Sequence, residues 1–151
     1  MLNILYIWCM VLDTTYKNKE HENLINDLVG KRFSFLQSIK MKGIGSKRMI
    51  IDEVSPNMKT YTNKIYYVNY ANIEMRPFGI LIRINKGLSN FTWVIPYYQL
   101  VIYKTNGSCI HAQGRFIKFR NNINFKENKA FFDKLLDKKI EHESQYNFQG
   151  I

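Results

Sequence analysis

The sequence predicts an α+β, mainly β fold, an antiparallel half-barrel of about seven strands closed by a C-terminal amphipathic helix, with a short helix near the N-terminus. Three observations predict it. The 151 residues include ten Tyr and ten Phe beside many Ile and Val, and aromatic and branched side chains suit a half-buried pleated surface. Between Lys64 and Arg120, strand-like windows follow one another with short turn signals between them. Near the end of the chain, Phe131, Phe132, Leu135, Leu136 and Ile140 form one helical stripe opposite a lysine-rich face. An apolar share of 46% and a charged share of 23% are those of a globular chain. This length suits one domain, which buries about two-thirds of the unfolded surface.

The N-terminus, "MLNILYIWCMVLD", is the most hydrophobic window. As a helix, Met1–Leu12 would reach about 18 Å, short of the roughly 20 residues that a membrane span takes. It lacks the basic n-region and the small-residue cleavage site of a secretory signal. Three readings stand: a loosely held tail added by an upstream start codon, a strand or helix packed on the domain, or an interfacial anchor. The expected division is an apolar tail over 1–14, one domain over 15–143 and a loose polar tail over 144–151.

Leu24, Ile25, Leu28 and Val29 sit at helical spacing after the N-cap candidates Asp13, Thr14 and Thr15, with Gly30 as the C′ residue. "KRFSFLQSIKM" puts Phe33, Phe35, Ile39 and Met41 on one parity and predicts a strand, ended by "GIGS". "KRMIIDEV" predicts another, closed by the Ser55-Pro56-Asn57 turn signal. Next come "KIYYVNYANIEM", then "FGILIRIN", then a reversal at Lys86-Gly87 into "FTWVI". Pro96 marks a break, because proline is accepted at strand ends or bulges and not in central ladders. Asn106-Gly107 predicts a two-residue hairpin with Thr105 facing Ser108. The apolar parity shifts from Ile110 and Ala112 to Ile117 and Phe119, which predicts a bulge or turn at Gln113-Gly114. Asn124 and Glu127 have capping-box spacing ahead of the final helix, Asn128 to Ile140.

Little in the sequence points to catalysis. Cys109 and His111 lie two apart on a predicted strand and so share a face. A nucleophile and its base need that proximity, but they also need thiolate stabilisation and an orienting acid, and none lies between Met75 and Lys126. The structural reading, a packed cysteine beside a histidine, is preferred, with Cys109 and His111 kept as outside catalytic candidates. Cys9 and Cys109 are too few and too far apart for a disulfide framework or a zinc site, and a reduced, cytoplasmic setting follows. Neither metal nor cofactor is expected. "GIGSKR", Gly43 to Arg48, meets neither the P-loop nor the dinucleotide spacing and reads as a turn. Asp52-Glu53 reads as a solvated acidic pair.

Charge is the one constellation above background. Lys and Arg number 22 against 12 acids, a formal +10, which favours phosphate-rich or acidic surfaces unless it is genomic compositional bias. Eight cations and no acid lie between Met75 and Lys126, where an even spread would put about four acids. A positive sheet face is expected, with Arg83, Lys86, Lys104, Arg115, Lys118 and Arg120 as binding residues. Tyr97, Tyr98, Tyr103 and Phe116, interleaved with them, are candidates for stacking on bases, or else fill the barrel and its rim.

The "W-x-I-P-Y" element, Trp93, Ile95, Pro96 and Tyr97, ahead of the last hairpin and the helix Asn128 to Ile140, resembles the bacterial pleckstrin-homology-like domains over roughly 31–142. The stretches "NFTWVIPYYQLVIYKTNG" and "IHAQGRFI" are also similar to those of small flavobacterial-type proteins with no assigned activity. The membrane helices that often flank such domains have no counterpart in this chain. The resemblance implies a non-enzymatic binding or adaptor module, cytoplasmic or peripheral at the membrane, for an acidic protein or peptide or an anionic lipid headgroup. Alternatives are a single-stranded nucleic-acid binder and, last, a cysteine-dependent enzyme. On the first reading, replacing Arg83, Lys86, Arg115 and Lys118 together leaves stability unchanged.

Overall fold

A computed structural model describes residues 10–63, 68–104 and 106–147. The elements are β1 (Val11–Asp13), α1 (Lys19–Val29), α2 (Phe35–Lys40), β2 (Met49–Val54), β3 (Asn69–Arg76), β4 (Gly79–Lys86), β5 (Ser89–Pro96), β6 (Val101–Tyr103), β7 (Ser108–Ala112), β8 (Arg115–Phe119), α3 (Ile123–Lys126) and α4 (Lys129–Asn147). Two 3-10 segments, Pro56–Tyr61 and Tyr97–Gln99, join strands. All eight strands form one antiparallel sheet in the order β1-β5-β4-β3-β2-β8-β7-β6. The fold is therefore α+β and mainly β with a C-terminal helix, and the sheet is open, with β1 and β6 as its edges.

The sheet curls around its core. Gln113, in the turn between β7 and β8, accepts from Trp93 Nε1 at 3.0 Å and donates to the Val94 carbonyl at 3.0 Å, so it reaches β5 across the fold. Period-2 alternation sets the inner face: Ala71, Ile73 and Met75 of β3 pair with Ile84, Ile82 and Ile80 of β4, and all six are buried. Trp93 and Ile95, then Ile110, Ile117 and Phe119, extend the same core. On the other face α1 packs on β4 and β5 through Ile25 and Val29. Its N-cap is Asn18, whose side chain accepts from the Glu20 and His21 amides.

Pro96 is the last residue of β5, opposite Gly79, and the chain turns immediately into the 3-10 segment. The break expected there is present, since a residue without an N–H costs the ladder nothing at a strand end. Gln113 (φ 55°) and Gly114 (φ 72°) form the second turn, and Ala112 faces Arg115 across it.

Several expectations are corrected. Residues 31–41 hold the helix α2, not a strand. The Ser34 side chain accepts from the Gln37 amide at 3.3 Å while Gln37 accepts from the Ser34 amide at 2.9 Å, a capping box that outweighs the alternating pattern. Val11–Asp13 is an edge strand on β5, and Met10, Val11 and Leu12 are buried, so this part of the 1–14 segment belongs to the core. It covers a β5 edge that would otherwise be unpaired. The remainder of the apolar start, 1–9, lies outside the described residues, as do Lys64–Tyr67 of the third predicted strand.

In the hairpin, Tyr103 faces Cys109 and Ile102 faces Ile110, one residue away from the register expected from Asn106-Gly107. Thr105 lies outside the described residues. Burial decides the register, because it sets Ile102 and Ile110 on the same inner face. At the C-terminus, Asn122 caps α3 by accepting from the Phe125 amide at 3.1 Å, so Asn124 and Glu127 do not form the capping box. Asn128 instead bridges to the loop before β2, accepting from the Lys47 amide at 2.8 Å and donating to its carbonyl at 3.2 Å. Phe131, Phe132 and Leu135 are buried, but Ile140 is exposed, and the helix runs on to Asn147, so 144–147 is not a loose tail.

Candidate functional site

The six sequence-named cations do not share a face. Arg83 points to the α1 side of β4 and binds the buried Glu74 carboxylate at 3.3 Å. Lys86, at the end of β4, donates to the Thr60 carbonyl at 2.8 Å. Lys104 pairs with Asp133 at 3.6 Å, and Arg120 with Asp52 at 3.1 Å. Arg115 donates to the Asn57 carbonyl at 2.7 Å and lies near the Tyr61 ring. Of the six, only Lys118 has a side chain with neither a hydrogen bond nor an ion pair among the described residues. The acid-free window thus receives its acids in space from β2, β3 and α4. Because Arg83, Lys86 and Arg115 each hold a structural contact, replacing these three and Lys118 together is expected to lower stability, where the sequence reading expected no change.

Glu74 is the centre of the largest charge cluster among the described residues. Its side chain is 6% exposed and takes Arg76 Nε at 2.7 Å, Arg83 Nη1 at 3.3 Å and Arg32 Nε at 3.5 Å. Burial pulls this carboxyl up, but the hydrogen bond from Arg76 and the charges of Arg83 and Arg76 outweigh it and hold the group below its usual value. Arg76 continues the network to the Asn26 side chain and the Gly30 carbonyl, tying α1 to β3.

The outward face of β6, β7 and β8 carries the cysteine and histidine. Cys109 Sγ lies 3.1 Å from His111 Nε2, the shared face that their spacing predicted. His111 is flanked by rings rather than by an acid: Tyr103 is edge-on at 4.9 Å and Phe116 stacks at 5.2 Å. No carboxylate bonds it among the described residues. Burial pushes the Cys109 thiol up, with Lys118 pulling down and Glu53 adding to the rise. The thiol is therefore held toward its protonated form in this geometry. Tyr103, His111 and Phe116 make an aromatic row beside Lys118, while Tyr98 is exposed on the 3-10 segment. Tyr97 drops out of the stacking set, because it is 1% exposed and donates to the Arg76 carbonyl at 3.1 Å. Its hydroxyl is pushed far up by burial and by Glu141.

Besides a concavity of about 450 Å³ beside His111, Arg115 and Phe116, two others among the described residues involve named cations. The larger, about 730 Å³, lies along β2, whose register with β8 shifts between Ile51 and Glu53; there Lys59, Lys86 and Arg120 face Asp52 and Glu53, so its charge is nearly balanced. The smaller, about 270 Å³, opens between the β6–β7 hairpin and the α3–α4 corner. Phe125 and Phe132 form its apolar wall, and Lys104, Lys126, Lys129 and Asp133 line its mouth. Asp133 is shared by Lys104 at 3.6 Å and Lys129 at 3.5 Å, which leaves Lys126 with no carboxylate partner among the described residues. Ser108 also lines it, is 1% exposed, and its Oγ has no hydrogen-bond partner among the described residues. A buried hydroxyl of this kind is rare unless a water or ligand completes it.

Reading the sequence had singled out Lys104 here and missed Lys126, Lys129 and Ser108 as site residues. Lys129 sat in a helix read for its apolar stripe, Lys126 was counted only among the eight cations of the acid-free window, and Ser108 was read only as a hairpin position. Among the described residues no group of three or more His, Cys, Asp or Glu is placed to hold a metal ion. The loop Gly43 to Arg48 leads into a strand and not a helix, as a turn reading requires. Comparison with protein-family models, curated proteins and solved structures gives no match.

Proposed function

We propose that this chain is a non-enzymatic binding module of pleckstrin-homology-like type whose lysine-rimmed cavity takes an acidic peptide segment of a protein partner. The observation that carries the reading is the Ser108 hydroxyl, buried without a partner among the described residues in a cavity with a phenylalanine wall and three lysines at its mouth. A cavity of about 270 Å³ suits one apolar side chain. Carboxylates on either side of it would meet Lys126 and the Lys104–Asp133–Lys129 triad at the rim. The elevated Cys109 thiol and the ring-flanked His111 favour binding over cysteine chemistry. Support for the pleckstrin-homology-like type comes from the curled antiparallel sheet, the strand break at Pro96 and the C-terminal helix.

A specific observation favours one second reading. The Tyr103–His111–Phe116 row beside Lys118 offers a stacking platform for single-stranded nucleic acid. Both are tested on one sample by fluorescence anisotropy, with labelled hexapeptides of mixed Asp and Glu carrying one central Phe or Leu, and with labelled oligouridine over a salt series. The module reading expects saturable peptide binding, weakened about tenfold or more in a Lys126→Glu, Lys129→Glu variant. Oligouridine binding that falls steeply with salt and is lost in Tyr103→Ala, Phe116→Ala would choose the second reading. If no peptide in the set binds, the acidic-segment reading is abandoned.

A further inference from the structure

We infer that α2 is a docking element for anionic lipid bilayers, a surface distinct from the lysine-rimmed cavity. Phe35, Leu36 and Ile39 are 78%, 71% and 59% exposed, and no residue of this six-residue helix is buried. Single exposed apolar side chains are ordinary, whereas three large ones on one short element mark a contact surface.

The surrounding charge selects the occupant. From Leu28 to Ile51 the chain carries Lys31, Arg32, Lys40, Lys42, Lys47 and Arg48 and no acid. Arg32 reaches Glu74 at 3.5 Å, Lys47 reaches Glu127 at 3.4 Å, and Arg48 lies over the Tyr70 ring at 4.1 Å. Lys31, Lys40 and Lys42, which bracket α2, have no carboxylate partner among the described residues. An apolar wedge inside a cationic collar matches a membrane interface, where the side chains enter the acyl boundary and the ammonium groups meet anionic headgroups. A second copy of the chain fits poorly, since a two-fold contact through α2 would set this collar against itself. No helix among the described residues is long and apolar enough to cross a membrane, and an interfacial contact needs none.

The wedge is held in place before it meets any surface. Phe33 and Met41 pack on the core at its two ends, and the Ser34–Gln37 capping box closes its first turn. From α4, Lys134 Nζ donates to the carbonyls of Met41 at 3.0 Å, Lys42 at 3.0 Å and Gly43 at 2.9 Å. Docking therefore orders no loop, which removes one of the usual costs of association.

The test is co-sedimentation of the full chain with phosphatidylcholine vesicles containing about 30% phosphatidylserine, beside vesicles of phosphatidylcholine alone. Binding to the anionic vesicles is expected. It should fall about tenfold or more in the triple variant Phe35→Ser, Leu36→Ser, Ile39→Ser, and likewise in Lys31→Glu, Lys40→Glu, Lys42→Glu. All six side chains are exposed, and a thermal melt checks that each variant folds. A Trp8→Phe, Phe35→Trp variant adds a reporter, its emission shifting to the blue when anionic vesicles are added while that of a Trp8→Phe control does not. No sedimentation, undiminished sedimentation of the apolar variant, or no spectral shift overturns the proposal. So does a wild-type dimer that the apolar variant converts to monomer without vesicle binding. The Lys126→Glu, Lys129→Glu variant should sediment as wild type, so the cavity reading and this one fail separately.

Discussion

At the scale of single residues, Cys109 shows why proximity is not reactivity. Its sulfur lies 3.1 Å from His111 Nε2, yet burial raises the thiol and no described acid orients the ring. Iodoacetamide applied at neutral pH to a Cys9→Ser variant, in which Cys109 is the only thiol, should modify it more slowly than it modifies glutathione. The rate should climb as pH rises through the elevated value. Modification faster than glutathione at neutral pH would make Cys109 an activated nucleophile and move the enzyme reading from last place to first. The two-residue spacing placed this pair correctly, because side-chain parity in a strand is local. Nothing local announced Ser108, whose orphaned hydroxyl exists only because the β6–β7 hairpin meets the α3–α4 corner.

At the scale of elements, the strands from β2 to β8 were legible as windows and turns, and the final helix as a stripe. Residues 31–41 were misread because Phe33, Phe35, Ile39 and Met41 alternate on paper, while Ser34 and Gln37 supply the local bonds that start a helix. Register was legible only in part. Asn106 and Gly107 do adopt positive φ, 43° and 109°, but the pairing is set by burying Ile102 against Ile110.

Gly79 tests how closely two elements meet. A Cβ there would stand 2.6 Å from Val29 Cγ1 of α1 and would also strike the Ile95 carbonyl of β5. Gly79→Ala should therefore destabilise the protein by about 1–3 kcal/mol in urea unfolding. Gly45→Ala is the control, since its nearest neighbour, the Ile73 carbonyl oxygen, is 3.8 Å away. Equal stability of the two variants would refute the close approach of α1 to the β4–β5 ladder.

For the whole molecule, net charge was legible and its arrangement was not. The +10 excess suggested one positive face, but folding brings Asp52, Glu74 and Asp133 to Arg120, Arg83 and Lys104. Glu74 carries the global consequence, because its cluster joins α1, β3, β4 and the loop at Arg32. A carboxyl whose folded pKa is depressed stabilises the protein above the unfolded value, near 4.5 for this group. That contribution is lost as pH falls through the lower folded value. Urea unfolding between about pH 7 and pH 3 should show stability declining below about 4.5. Glu74→Gln should start less stable at neutral pH and decline less. A variant with the same acid slope as wild type would remove Glu74 as the source.

Composition, period-2 alternation, the turn dipeptides and the helical stripe determined a mainly β antiparallel chain ending in a helix, since each of these is a property of neighbouring residues. Tertiary structure decided the placing of β1 on β5, the open curled sheet, which cations are neutralised, and the surroundings of Ser108. These depend on residues tens of positions apart meeting in space, and no local pattern encodes which distant acid or wall a side chain will meet.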